Sequence, residues 1–348
     1  MRRLLALAAV AFVVGMSSPA RADTPPNAWD KIKDPTLQER WELHLKVRQT
    51  IEVLQIEEEL SQTRYDRPNH KKLLLDAALM YLNRAQAATS GDLLLGTDLL
   101  DVLRMREGVL GEKNDPEILP VATWLCNEPK LRDEARANAC FALAIVHAKG
   151  GRTEAELAAY DAELRFESDP HQRCVVFMNR AEGWMRLGRL NEAIEGYRET
   201  IALATPLPGT SHTVASAYWG LAVALDRYRD PRGALQAAAI ALMTDPLLAL
   251  VSPDVNEGVF FVPDYEKHWY QAIGWRQKAL AATNPTDVAR FYTAAELQYG
   301  QYVFEATKAK DTMYLAVARE RLDAVKKLAA EARAKAATVK LPPTDLEF

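Results

Sequence analysis

The residues able to do chemistry are spread along this 348-residue chain instead of gathered. Histidines stand at His44, His70, His147, His171, His212 and His268, and cysteines at Cys126, Cys140 and Cys174. No H-E-x-x-H, G-x-S-x-G, phosphate-loop or dinucleotide pattern is present. The cysteine spacings fit no zinc motif, and three are too few for a disulfide scaffold. His147 falls on an interhelical position and reads as a core histidine. Asp226 and Glu182 could face each other across adjacent helices, but they read most simply as surface carboxylates. The chain is therefore expected to be non-enzymatic, with no catalytic, cofactor-binding or metal-ligating residues.

What remains is the framework. About half the residues are apolar (49%) and about a quarter charged (26%), enough for a large core. Alanine, leucine, glutamate and arginine dominate, and long alternating β-branched runs are missing, which predicts an all-α chain. Arg2 and Arg3, the apolar run Leu4–Met16 and the Ala20-Arg21-Ala22 site form a signal-peptide pattern over residues 1–22. The run is too short for a membrane anchor. Its removal, with Arg2, Arg3 and Arg21, takes the net charge from −4 to −7. An acidic chain without a long basic stretch argues against nucleic acid as a partner. The expectation is an exported chain, periplasmic or secreted, soluble after cleavage and without stable membrane insertion.

Residues 23–35 read as a linker and 36–130 as an N-terminal helical region. There Leu43, Val47, Ile51 and Leu54 form one apolar stripe, and Glu57, Glu58 and Glu59 a solvated face. Thr89-Ser90-Gly91-Asp92 is a turn with N-cap residues. Residues 247–266 are irregular and hold the apolar run Val259–Val262, expected either to pack beneath the helices or to bind. Residues 267–337 read as a further hairpin and a terminal helix whose seam is Leu315, Ala318, Leu322, Val325 and Ala329. Residues 338–348 are a tail.

The most regular stretch is Gln172 to Pro246. Phe177, Ala181, Trp184, Ala193 and Tyr197 recur in register as Tyr218, Ala222, Leu225, Ala234 and Ala238, and Pro246 closes the second unit. Cys140, Leu143, Ala144, His147, Gly151, Glu156 and Tyr160 extend the register backwards, and Leu187-Gly188-Arg189-Leu190 is a helix–helix turn. This pattern resembles the tetratricopeptide repeat (TPR), W-x2-L-G-x2-Y, then A-x3-F, then P. The resemblance covers residues 131–246. It implies a TPR-like α-solenoid, a right-handed superhelix of helix–turn–helix repeats, with degenerate N-terminal helices and a C-terminal capping helix. The step from Ala193 to Ala234 carries about seven residues beyond the 34-residue period.

The resemblance also implies that the first helix of each repeat lines a concave binding face. The positions are Phe141, Ile145 and Lys149, then Met178, Glu182 and Arg186, then Trp219, Val223 and Arg227, then His268, Gln271 and Trp275. They are mostly apolar with a cationic edge, which suits an amphipathic or apolar segment of a protein or peptide. Alternatively, the chain's own Val259–Val262 or its terminal helix occupies that face. A structural assembly subunit that self-associates through its ends or its terminal helix is a second expectation of function, and an enzyme whose site escapes motif reading is a third. Cys140 and Cys174, near the starts of successive first helices, are the pair expected to bridge if any does.

Overall fold

The computed structural model describes residues 35–61, 68–88, 91–110, 115–246 and 263–338, and among these it is all-helical, with thirteen α-helices and no strand. The predicted signal peptide, the Val259–Val262 run and the tail from residue 339 lie outside the described residues. The chain divides into two compact units, Met1–Leu110 and Gly111–Phe348.

The N-terminal unit contains α1 (Pro35–Ser61), α2 (Pro68–Ala88) and α3 (Leu93–Leu110). Val47, Ile51 and Leu54 of the α1 stripe are buried, together with Leu75, Ala78 and Leu82 of α2 and Leu95, Leu99 and Val102 of α3. Asp92 caps α3 by accepting the Leu95 N–H at 3.0 Å, and the preceding Gly91 has φ +92°. Asp98 is fully buried beneath α1, 2.7 Å from His44 and 3.0 Å from Arg48. Burial pushes its carboxyl up, and the His44 hydrogen bond works against that shift.

The second unit runs through α4 (Asp115–Asn127), α5 (Asp133–Lys149), α6 (Thr153–Glu163), α7 (Pro170–Arg186), α8 (Leu190–Ala204), α9 (Ser211–Arg227) and α10 (Pro231–Thr244). Beyond residue 262 come a 3-10 turn (Asp264–Glu266), α11 (Lys267–Ala281), α12 (Pro285–Ala309) and α13 (Leu315–Ala337). Each helix packs on the next in sequence, and α9 also touches α7 and α11. The unit boundary puts α4, grouped by the sequence with the N-terminal region, alongside α5.

Local chemistry sets the joints. Asp169 accepts the His171 and Gln172 N–H groups ahead of Pro170, and Asn284 accepts the Thr286 N–H at 2.9 Å ahead of Pro285. A left-handed residue closing the first helix recurs in three hairpins, seven positions after the small residue of the repeat: Gly151 after Ala144, Gly188 after Ala181, and Arg229 after Ala222. At all three the same pair of backbone hydrogen bonds closes the turn, as in Arg152 N to His147 O and Gly151 N to Ala148 O. Arg229 takes φ 69° without glycine's freedom, so the register of the turn survives a change of residue type.

The expected Cys140–Cys174 pair does not form. Cys140 is bridged to Cys126, with their α-carbons 4.8 Å apart, because α4 lies directly against α5. Cys174 is a buried free thiol donating to the Pro170 carbonyl on its own helix. The terminal seam is confirmed at Leu315, Ala318, Val325 and Ala329, with Leu322 partly buried and an unexpected member, Arg321, only 7% exposed.

Candidate functional site

The twelve positions expected to line a concave face divide sharply by burial. Lys149 is exposed, and Phe141, Ile145, Met178, Glu182, Arg186, His268, Gln271 and Trp275 are half-buried. Trp219, Val223 and Arg227 are interior, with Trp219 and Val223 fully enclosed. These three are therefore corrected: the face of α9 meets the chain's own C-terminal elements and offers no surface to a partner. The terminal helix does reach this face, as one of the sequence alternatives had it.

The covering contacts are polar and specific. The 3-10 turn brings Glu266 onto the Arg227 guanidinium, which also lies over the rings of Trp269 (4.5 Å) and Tyr314 (4.2 Å). The Tyr314 hydroxyl, just ahead of α13, donates to the Met185 carbonyl of α7. Asp226, read from sequence as a surface carboxylate, has no exposed area. It accepts hydrogen bonds from Trp269 Nε1 (2.9 Å), Tyr299 OH (2.8 Å) and Arg321 Nε (2.8 Å), with Arg276 3.5 Å away. Four helices, α9, α11, α12 and α13, are tied at one carboxylate. Burial together with the Asp226 charge raises the Tyr299 hydroxyl far above the ordinary phenol range, so it stays a donor.

A second polar group joins α6 to α7. The Arg186 guanidinium stands 2.5 Å from both oxygens of Glu156, and Glu182 lies on the same side of α7 one turn earlier. Burial raises both carboxyls, the Glu156 carboxyl to about 7, with Arg186 opposing the shift in each case. Because the folded pKa exceeds the ordinary value of 4.5, the folded state keeps a proton that the unfolded state has lost between pH 4.5 and 7. Stability is therefore highest below that window and falls as pH rises through it, by about 3 kcal/mol for a shift of this size. The Tm of the wild type minus that of Glu156→Gln is expected to decrease from pH 4.5 to pH 7; parallel Tm profiles would count against this reading of Glu156.

Among the described residues no group of three His, Cys, Asp or Glu side chains is placed to hold a metal ion. His147 accepts from Arg152 Nε at 2.9 Å, and His268 pairs with Gln298 at 2.6 Å. His171 and Cys174 lie three residues apart on α7. His171 is held by Asp169 and the Pro208 carbonyl, while Cys174 turns inward.

An open groove of about 650 Å³ lies elsewhere, between α12 and α13. Leu297, Gly300 and Phe304 line it from α12, and Leu322, Lys326 and Arg333 from α13. Leu297 is 58% and Phe304 65% exposed, unlike the enclosed Trp219. The guanidinium of Arg333 closes one end by reaching Thr293 (3.1 Å) and Glu296 (3.4 Å). The sequence showed the aromatic and apolar loading of α12 but not which of its residues would remain uncovered. Tyr299 and Tyr302 of the same helix are buried.

No family model matches the chain, and no curated protein matches it. Among solved structures, the crystal structure of BtubC (BKLC) from P. vanneervenii is similar at 16% identity, covering 89% of this chain and 96% of that one, with a TM-score of 0.35. A likeness at that level carries no argument about this chain. No described helix is long and apolar enough to cross a membrane.

Proposed function

We propose that the chain is an exported, non-enzymatic adaptor, built as a TPR-like α-solenoid, that binds a segment of another protein. The observation that carries the binding role is the α12–α13 groove, where Leu297 and Phe304 stand exposed over an open volume. Leaving two large apolar side chains in water forgoes their burial, about 1.5–3 kcal/mol each, which a docked partner would recover. The solenoid reading rests on the helix register and on the turn that recurs at Gly151, Gly188 and Arg229. The export reading rests on the N-terminal pattern and on the Cys126–Cys140 bridge, a bond that suits an oxidising compartment.

The test is capture from envelope extract on the immobilised mature chain, beside a Leu297→Glu/Phe304→Glu double variant. Proteins enriched by the wild type over bare resin are expected to be lost from the variant. The same set held equally by both, or no enrichment at all, would remove the groove from the function.

A further inference from the structure

Resting on that reading, we infer that the occupant of the α12–α13 groove is an amphipathic α-helix of a partner, apolar along the face that enters and acidic along the edge beside Lys326. Three observations lead there. First, α13 lies chiefly against α12, as the two helices of a hairpin do, and the open groove along their shared face is lined by these two helices alone. It is a seat that one more helix would fill. Its α12 wall repeats at helical intervals, Thr293, Leu297, Gly300 and Phe304, and its α13 wall does likewise at Leu322, Lys326 and Arg333. That wall spans about 16 Å along α12, enough for roughly three turns of a docked helix.

Second, Gly300 sits at the middle of the groove floor, within a helix, where glycine costs about 1 kcal/mol relative to alanine. A Cβ built there meets nothing within 4 Å, so no neighbour in this chain requires the glycine. Its bare backbone lets another helix approach closely.

Third, the charges along the walls are unequal. Glu296 and Arg333 face one another at 3.4 Å and offset each other. Lys326 is half-exposed and its nearest carboxylate, Asp323 on the same helix, is 3.9 Å away, at the limit of an ion pair. A carboxylate on the incoming helix completes it. Among the described residues a second copy of this chain could offer α2, through Leu73 and Met80, or α12 itself, through Leu297 and Phe304, and each presents only two exposed large apolar side chains to a wall with four helical positions.

The experiment uses a lactam-bridged, fluorescein-labelled helical probe of about 15 residues. Its leucines are spaced i, i+4, i+7 and i+11, and it is flanked by glutamates. Anisotropy is read against the mature full-length chain, with two control peptides: the same composition permuted to alternate leucine at every second position, and a lysine-for-glutamate version. The acidic helix is expected to bind at least about tenfold tighter than either control. Gly300→Leu, which fills the floor while improving helix propensity, is expected to abolish binding without loss of Tm. Lys326→Glu should invert the preference towards the lysine-flanked helix. Equal binding of all three peptides, undiminished binding to Gly300→Leu, or an unchanged preference in Lys326→Glu would overturn the inference. So would binding that appears only when the chain is cut after Thr338, which would make the groove a seat for the chain's own tail. A dimer in sedimentation that Leu297→Glu/Phe304→Glu dissolves would likewise assign it to a second copy. If capture succeeds while the acidic helix fails, the adaptor reading stands and the helical occupant does not.

Discussion

Asp226→Ala is expected to destabilise the second unit by about 3–5 kcal/mol, among the largest effects of any single substitution in this chain. The lost carboxylate leaves three donors without their acceptor: Trp269 Nε1, Tyr299 OH and Arg321 Nε. The arginine decides the magnitude. Its side chain is 8% exposed and has the Asp226 carbonyl and Glu320 as remaining partners, so a positive charge stays buried with much of its compensation gone. Asp226→Asn would not be a mild replacement. An amide has a single acceptor oxygen, and its NH2 would face either the Trp269 and Tyr299 donors or the Arg321 guanidinium. Urea unfolding of the full chain followed by tryptophan emission measures the effect, since five of the seven tryptophans, from Trp124 to Trp275, belong to this unit. Removing both partners in Asp226→Leu/Arg321→Leu is expected to recover much of the loss, because neither buried charge is then stranded. A loss below about 1 kcal/mol for Asp226→Ala would show that desolvation cancels the network's attraction.

Gly220→Val is expected to cost about 3 kcal/mol, at the upper end of what overpacking produces. A Cβ on Gly220 would lie 2.3 Å from the Tyr197 ring and 2.7 Å from its hydroxyl oxygen. Tyr197 is 1% exposed and enclosed by the same core cluster, so it has no free space to swing into. The helix α9 or the ring of α8 must therefore shift, and the contact between successive hairpins opens. Thermal unfolding of the variant should show a Tm several degrees lower, and Tyr197→Leu in the Gly220→Val background should restore part of it. Wild-type Tm in Gly220→Val would mean that α8 and α9 are not packed ring-to-backbone.

Much of this architecture is legible along the chain because its causes are local. Asp169-Pro170 and Asn284-Pro285 start helices through side chains acting two residues away. The left-handed turns at Gly151 and Gly188 are marked by glycine itself, whereas the equivalent turn at Arg229 is visible only through register. The α1 stripe and the α13 seam are read from helical spacing alone, as periodic burial requires. One sign in α13 did point beyond local structure: Arg321 is a charge set between Ala318 and Val325 on an apolar seam, and it is the residue that reaches Asp226.

What spacing could not supply is which faces meet across large sequence separations. Trp269, Tyr299 and Arg321 converge on Asp226 from 43, 73 and 95 residues away, and that convergence converts an apparent surface carboxylate into the tie between four helices. It also buries Trp219 and Arg227, which the repeat resemblance implied would lie on an open face. The Cys126–Cys140 bridge depends on α4 lying against α5, and the exposure of Leu297 and Phe304 depends on where the helices stop covering α12. Helix type, turns and caps follow from interactions within a few residues, so the sequence determines them by itself. The partner of each face is chosen by the total burial and charge pairing of the assembled unit, and only the tertiary structure decides that.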